Sequence, residues 1–195
     1  MQLPDHFRLL LLTSVFSFFL MITLSSAAVE QRGGATIEEL TATTSENHLI
    51  LFCILENSFT KEMIEVLHSG IPLRFTFHIE LHKTAENWPG ELMTALSLQH
   101  TMVYDTLKES YRVTLEEEKN RTYSFRSLSE AEKAINEING AKIVELSQLI
   151  PDKLYKLMVR AEIYRKTLPM GLRDVLPFFS WGDVETDWHT IEFRY

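Results

Sequence analysis

Residues 149–159 read LIPDKLYKLMV, with a leucine, a proline and a tyrosine set just ahead of an alternating run. Downstream of it Tyr155, Leu157, Val159, Ala161 and Ile163 alternate with Lys156, Met158, Arg160 and Glu162. A period of two over that length predicts a long strand with one face in a core. Upstream, Pro151 has a fixed φ and no N–H for a ladder, so the chain is turning there. A tyrosine at such a turn can bury its ring and send its hydroxyl back to backbone groups that have left one sheet and not yet joined the next. Leu149, Pro151 and Tyr155 are therefore expected to form a structural corner. Leu149 plugs the end of the core, Pro151 stiffens the crossing, and Tyr155 ties it.

A corner of this kind belongs to immunoglobulin-like sandwiches, and the L-x-P-x-x-x-Y-x-[VL]-x-V spacing resembles fibronectin type III domains at this point. The neighbouring segments agree with it. TIEELTATT and HLILFCILE, parted by SEN, read as a hairpin whose second strand is apolar on both faces and so is buried on both sides. In PLRFTFHIELHK, Leu73, Phe75, Phe77, Ile79 and Leu81 oppose Arg74, Thr76, His78, Glu80 and His82. A further hairpin turns near DTLKES, although residues 91–102 also fit a helix. Two short helices complete the pattern. One is capped by Ser58 or Thr60 and ended by Gly70. The other is capped by Ser129 with Glu132, carries the stripe Ala131, Ala134, Ile135 and Ile138, and stops at Gly140. At the end of the chain Ile191, Phe193 and Tyr195 alternate with Thr190, Glu192 and Arg194, so the terminus is expected to pair into a sheet. The fold class predicted for residues 35–195 is mainly β: an immunoglobulin/fibronectin-III-like β-sandwich decorated by two short helices.

Ahead of it, residues 1–28 have the parts of an export signal or membrane anchor. Arg8 and the amino terminus precede an apolar stretch from Leu9 to Leu24, and SSAAV follows with small residues for cleavage after Ala27 or Ala28. Uncleaved, Leu9 to Val29 would reach about 30 Å as a helix, barely a membrane span. Residues 29–34 form a linker. The domain is thus expected outside the cytoplasm, in the periplasm or on the extracytoplasmic face of the inner membrane, touching the membrane only through the N-terminal segment if that is retained.

Composition narrows the partners. A net charge of −8 over 195 residues argues against nucleic acid, whose phosphates want a basic surface, and against anionic lipid. The one cysteine, Cys53, makes no intrachain disulfide and reads as a small buried hydrophobe. No cofactor is implied, for the chain has no G-x-S-x-G, no H-E-x-x-H and no phosphate-cradling glycine loop.

Three groups of side chains remain as candidates. His78, Glu80 and His82 stand on one strand face about 7 Å apart, so two of them can share a metal, with His100 as a third ligand; a solvated polar face accounts for them as well. Asp183, Glu185 and Asp187 offer oxygens for calcium in a loop, without EF-hand spacing. Phe178, Phe179, Trp181 and Trp188 form either a plug at the end of the core or an interaction patch.

Taken together, GIPLRFTFHIEL, VYDTLKESYRVTL, SLSEAEKAI, LIPDKLYKLMVRAEI and DVETDWHTIEF resemble the bacterial envelope family known as domain of unknown function 4390. That resemblance covers residues 35–195 and carries over no functional residue. It implies an envelope setting and, from the company such genes keep with sensor kinases, a part in envelope sensing. The expected function is that of an exported, non-enzymatic binding or protein-interaction module with an envelope protein as partner. The alternatives are a metal-dependent protein using His78, Glu80 and His82, and a periplasmic carrier of a hydrophobic ligand.

Overall fold

The computed structural model describes residues 34–84, 90–165 and 184–195. The signal or anchor segment, all of the linker but Gly34, and Phe178, Phe179, Trp181 and Asp183 lie outside the described residues. The chain order is β1 (Thr36–Ser45), β2 (His48–Glu56), α1 (Lys61–His68), β3 (Leu73–Lys83), β4 (Glu91–Asp105), β5 (Ser110–Leu115), β6 (Arg121–Phe125), α2 (Leu128–Asn136), β7 (Glu137–Glu145), a 3-10 turn (Leu146–Gln148), β8 (Leu154–Arg165), β9 (Val184–Glu185) and β10 (His189–Arg194). The protein is mainly β, with two sheets. One has the order β1-β2-β7; the other runs β10-β8-β3-β4-β5-β6, with β9 also on β8. Every pairing is antiparallel.

Period-two patterning places the core. Leu73, Phe75, Phe77, Ile79 and Leu81 of β3 and Tyr155, Leu157, Val159, Ala161 and Ile163 of β8 are at most 1% exposed. They share one apolar cluster with Leu49, Leu51, Cys53 and Leu55 of β2 and with Met63 and Leu67 of α1. Each large aliphatic or aromatic side chain buried this fully contributes about 1.5–3 kcal/mol. The reading of β2 as buried on both sides needs correcting. It is central in its sheet, but Ile50, Phe52 and Ile54 face outward and are only half-buried, because no second layer covers that face among the described residues.

The helices divide likewise. α1 forms as its sequence directs: Thr60 caps it, accepting a hydrogen bond from Met63 N–H at 3.3 Å, and Gly70 follows at φ 82°. α2 is shorter than its apolar stripe implies. Its N-cap is Ser127 rather than Ser129, and the helix ends at Asn136. Ile138 and Gly140 belong to β7, where Ile138 pairs with Cys53. Gly140, at φ 85°, is the extra residue of a bulge between Asn139 and Ala141, a place where glycine avoids the Cβ penalty. Residues 91–102 are strand, and β4 turns into β5 as the DTLKES reading predicts.

The stretch at 149–155 closes the core between β7 and β8. Leu149 is buried and Tyr155 fully so, its hydroxyl accepting the Ile150 N–H at 2.7 Å. That bond satisfies a donor with no ladder partner, worth about 1 kcal/mol. Pro151 is exposed at the turn, and Asp152 takes φ 61°. Phe193 of β10 stacks on the Tyr155 ring with centroids 5.7 Å apart, so the end of the chain braces the same corner. Asp152 N–H donates to the Tyr195 carbonyl at 2.6 Å and Tyr195 N–H to that of Lys153 at 3.2 Å.

β9 and β10 follow the same edge of β8 with a register shift of one. Glu185 faces Glu162, whereas His189 faces Val159, so three residues span two. Thr186 fills the irregularity: its N–H donates to the Ala161 carbonyl and its hydroxyl accepts the Ala161 N–H, both at 2.9 Å. The side chain thereby stands in for a ladder carbonyl.

Candidate functional site

The outward face of the larger sheet gathers most of the polar side chains that sequence reading singled out. β3 presents Arg74, Thr76, His78, Glu80 and His82 there, because the odd-numbered residues between 73 and 81 are committed to the core. Register sets their neighbours: His78 lies between Ser97 of β4 and Arg160 of β8, and Thr76 between Gln99 and Glu162. His78 Nδ1 is 3.1 Å from the Ser97 hydroxyl, and its Nε2 is 3.1 Å from the Glu162 carboxylate. That second contact is a diagonal cross-strand pair. His82 Nε2 approaches Glu80 at 2.8 Å.

The three residues weighed as metal ligands therefore form two separate pairs, His78 with Glu162 and Glu80 with His82. Among the described residues no group of three or more His, Cys, Asp or Glu side chains is placed to hold a metal ion. His100 does not join this face, and its place as a third ligand is corrected. It sits opposite Phe75 in the β3–β4 register and so points into the core. A shallow hollow of about 200 Å³, bordered by His78, Glu80, Ala95 and Ser97, opens between β3 and β4 on the outer side.

Further along the face, Arg160 forms an ion pair with Glu185, and its guanidinium lies 4.9 Å from the centroid of Trp188. A cation over an indole face is held by the ring quadrupole. Of the four aromatics considered for an interaction patch, Trp188 is the one within the described residues, half-buried beside β8. Of the calcium candidates, Glu185 is engaged by Arg160, Asp187 is exposed, and the carbonyl of Asp187 accepts a hydrogen bond from Thr186 at 3.0 Å.

A second polar constellation lies inside. The His100 side chain is 0% exposed and the Glu117 side chain 6%. His100 Nδ1 is 2.7 Å from the Ile135 carbonyl, which can only accept, so Nδ1 carries a hydrogen. Nε2 is 2.9 Å from both Glu117 oxygens. With the Phe77 ring at 4.9 Å from that of His100, the pair ties the turn after β5 to the end of α2 through the core. Cys53 is also buried. Its thiol is pushed up from 9.0 to about 12, by burial first and by the charge of Glu117 second, against a hydrogen bond with the Ile138 backbone that lowers it. A thiol held neutral in this way is a packing group rather than a nucleophile.

Sequence reading named His78, Glu80, His82 and Trp188, and Glu185 as a calcium candidate only, but missed the partners that organise them: Glu162, Ser97 and Arg160, the last of which holds Glu185. Their parity in β4, β8 and β9 puts them on the polar side, yet which of them meets His78 depends on register between strands as much as 84 positions apart. The His100–Glu117 pair was half visible. His100 shares parity with the inward-pointing Leu98 and Met102, which is the signature of a buried histidine, but Glu117 lies in a run of like residues.

No helix among the described residues is long and apolar enough to cross a membrane. A family model described as Domain of unknown function (DUF4390) matches residues 32–192. Neither the curated proteins nor the solved structures contain a match.

Proposed function

Since the chain belongs to this DUF4390 family, whose description assigns no activity, we propose on the strength of its own side chains that it is an exported, non-enzymatic interaction module of the bacterial envelope. Its fold, in this reading, is an immunoglobulin/fibronectin-III-like sandwich. Strand order supports that: β1-β2-β7 against β10-β8-β3-β4 corresponds to the A-B-E and G-F-C-C′ sheets of such domains, with β5 and β6 appended. The Tyr155–Ile150 hydrogen bond sits where a tyrosine corner belongs, at the entry to the F-like strand. Export is supported by the three-part N-terminus at residues 1–28. A role in envelope sensing would be one outlet for such a module.

The observation that carries the reading is the outer face of the larger sheet. Its polar groups are matched across strands, His78 with Glu162 and Arg160 with Glu185, and Trp188 lies under the guanidinium. Paired groups on paired strands are held in place, so they offer a partner a pattern at little ordering cost. Aromatic and arginine side chains are also the commonest anchors of interfaces.

The test is site-specific crosslinking in cells of the full chain, with a photoreactive residue at Thr76 or Thr190 on this face and at Thr43 on the other sheet. One envelope protein captured from Thr76 and Thr190 but not from Thr43 is the expected result. A preparation that carries an equivalent of bound metal or a hydrophobic small molecule, with no position-dependent crosslink, would replace the module with the metal-dependent or carrier reading.

A further inference from the structure

β4 has 15 residues, and β3 accompanies it from Glu91 to Met102, whereas β5 pairs only with residues 100–105. Just before that pairing begins, Gln99 turns both backbone groups toward the β5 side. Its carbonyl accepts the Glu116 N–H at 3.2 Å, and its N–H donates to the Glu116 carboxylate at 2.8 Å. Successive residues of a strand direct their N–H and C=O to opposite edges. Ser97 and Ala95 therefore present theirs on the same side as Gln99, and among the described residues no strand takes them up.

Natural edge strands are blunted by charge, by proline or by brevity. Residues 94–98 read TALSL and have none of these. The irregularity at Leu81/His82, which leaves Met93 without an opposite number on β3, limits the regular edge on one side. Glu116 limits it on the other.

We propose that this edge, residues 94–98 of β4, is a docking site for a short extended segment of a partner protein, added antiparallel, apolar on its inward side and basic at its N-terminal end. The inference rests on the interaction-module reading and gives that module its site. Two sets of N–H and C=O groups one pleat apart are complementary to extended backbone. On the inward side the added residues would lie beside Leu96 and Leu98, which are half-buried against the core. On the outward side they would pass Ala95 and Ser97, both small, and reach the hollow bordered by His78 and Glu80. An antiparallel segment begins where β4 reaches Gln99, next to the exposed Glu116 carboxylate, and this asks for a lysine or arginine there.

A second copy of the chain fits less well. If two β4 strands paired through Ala95 and Ser97, residues 91–93 of the copy would run into the position held by the end of β5. They would also bring Glu91 toward Glu116, between chains that each carry −8.

The experiment is selection of random nine-residue peptides on the full-length chain, followed by binding of the selected peptides to two variants. Ala95→Pro removes an outward-facing donor and places a ring in the path of an added strand. Because that N–H serves no bond within the sheet among the described residues, an edge proline there is compatible with the fold. Glu116→Lys leaves the edge in place and reverses the charge at its end. The expected peptides alternate apolar and polar residues behind a basic N-terminus. They should bind Ala95→Pro at least tenfold more weakly, lose affinity for Glu116→Lys, and slow hydrogen exchange at Ala95 and Ser97. The proposal is overturned if those amides are already protected in the chain alone, or if the chain sediments as a dimer that Ala95→Pro splits. Peptides indifferent to both variants would sink the edge and leave the interaction module standing. A selection that yields no peptide would count against both.

Discussion

The molecule contains the same chemical pair, histidine with glutamate, in two opposite settings. On the outer face of the larger sheet His78 meets Glu162 at 3.1 Å with side chains 28% and 34% exposed; in the core His100 meets Glu117 at 2.9 Å with 0% and 6% exposed. Geometry is nearly equal, and surroundings are not. Water screens the outer pair and competes for its hydrogen bonds, so the pair adds little to folding. The inner pair has given up its hydration, and each partner depends on the other for compensation. One arrangement is free to serve recognition, while the other is committed to holding α2 and the turn after β5 against the core.

The largest effect should come from breaking the inner pair on one side. His100→Leu leaves the Glu117 carboxylate buried without its partner and the Ile135 carbonyl without its donor. The expected loss is about 3–5 kcal/mol, read as a lower urea midpoint with an unchanged slope. Replacing both residues, His100→Leu with Glu117→Leu, should recover most of that loss, because no charge is then stranded. If the single and double variants were equally unstable, the buried pair would matter through its shape rather than its charge.

That pair also marks how far the sequence could be read. Alternation in β3 and β8 and a cap for α1 at Ser58 or Thr60, of which Thr60 serves, were legible because each is decided by residues a few positions apart. The end of α2 was not. Ala131, Ala134, Ile135 and Ile138 satisfy a helical period, yet the chain leaves the helix at Glu137 because Ile138 gains a place opposite Cys53 in the smaller sheet. Long-range pairing overrides local preference there. β6 was hidden for a similar reason: EEEKNRT reads as a charged connection, and only its pairing with β5 makes a strand of residues 121–125. The metal reading of His78, Glu80 and His82 counted spacing along one strand and took His100 from the next strand as the neighbour, whereas register turns His100 into the core and brings Glu162 of β8 to His78. Thr186 gave no signal, since a hydroxyl replacing a ladder carbonyl is visible only once the one-residue shift along β8 is known.

A smaller effect tests the core side of the comparison through Cys53, which lies within the field of Glu117. Its thiol titrates near 9.0 when unfolded and at about 12 when folded. Between those values the unfolded chain gives up a proton that the folded chain keeps, so this contribution to stability is whole below pH 9 and declines as pH rises. At pH 11 it should have fallen by about 2–3 kcal/mol. Measured against Cys53→Ala, whose own alkaline decline lacks this part, the difference should open from pH 9 upward. Parallel curves would mean that the thiol ionises as easily in the folded protein as in the unfolded one.

The smallest effect belongs to the outer pair, and its smallness is what makes it informative. Glu162→Gln keeps the length of the side chain and a hydrogen-bond acceptor for His78 while removing the charge. In a contact about one-third exposed the loss of stability should stay within about 0.5 kcal/mol, close to the limit of a urea titration. The same change should nonetheless weaken the crosslink expected from Thr76, since Glu162 lies directly opposite that residue in the β3–β8 register. A residue whose removal leaves folding intact but impairs capture is placed there for the partner. If Glu162→Gln instead destabilised the chain as much as His100→Leu, the outer face would be a structural layer, and the contrast between the two pairs would fail.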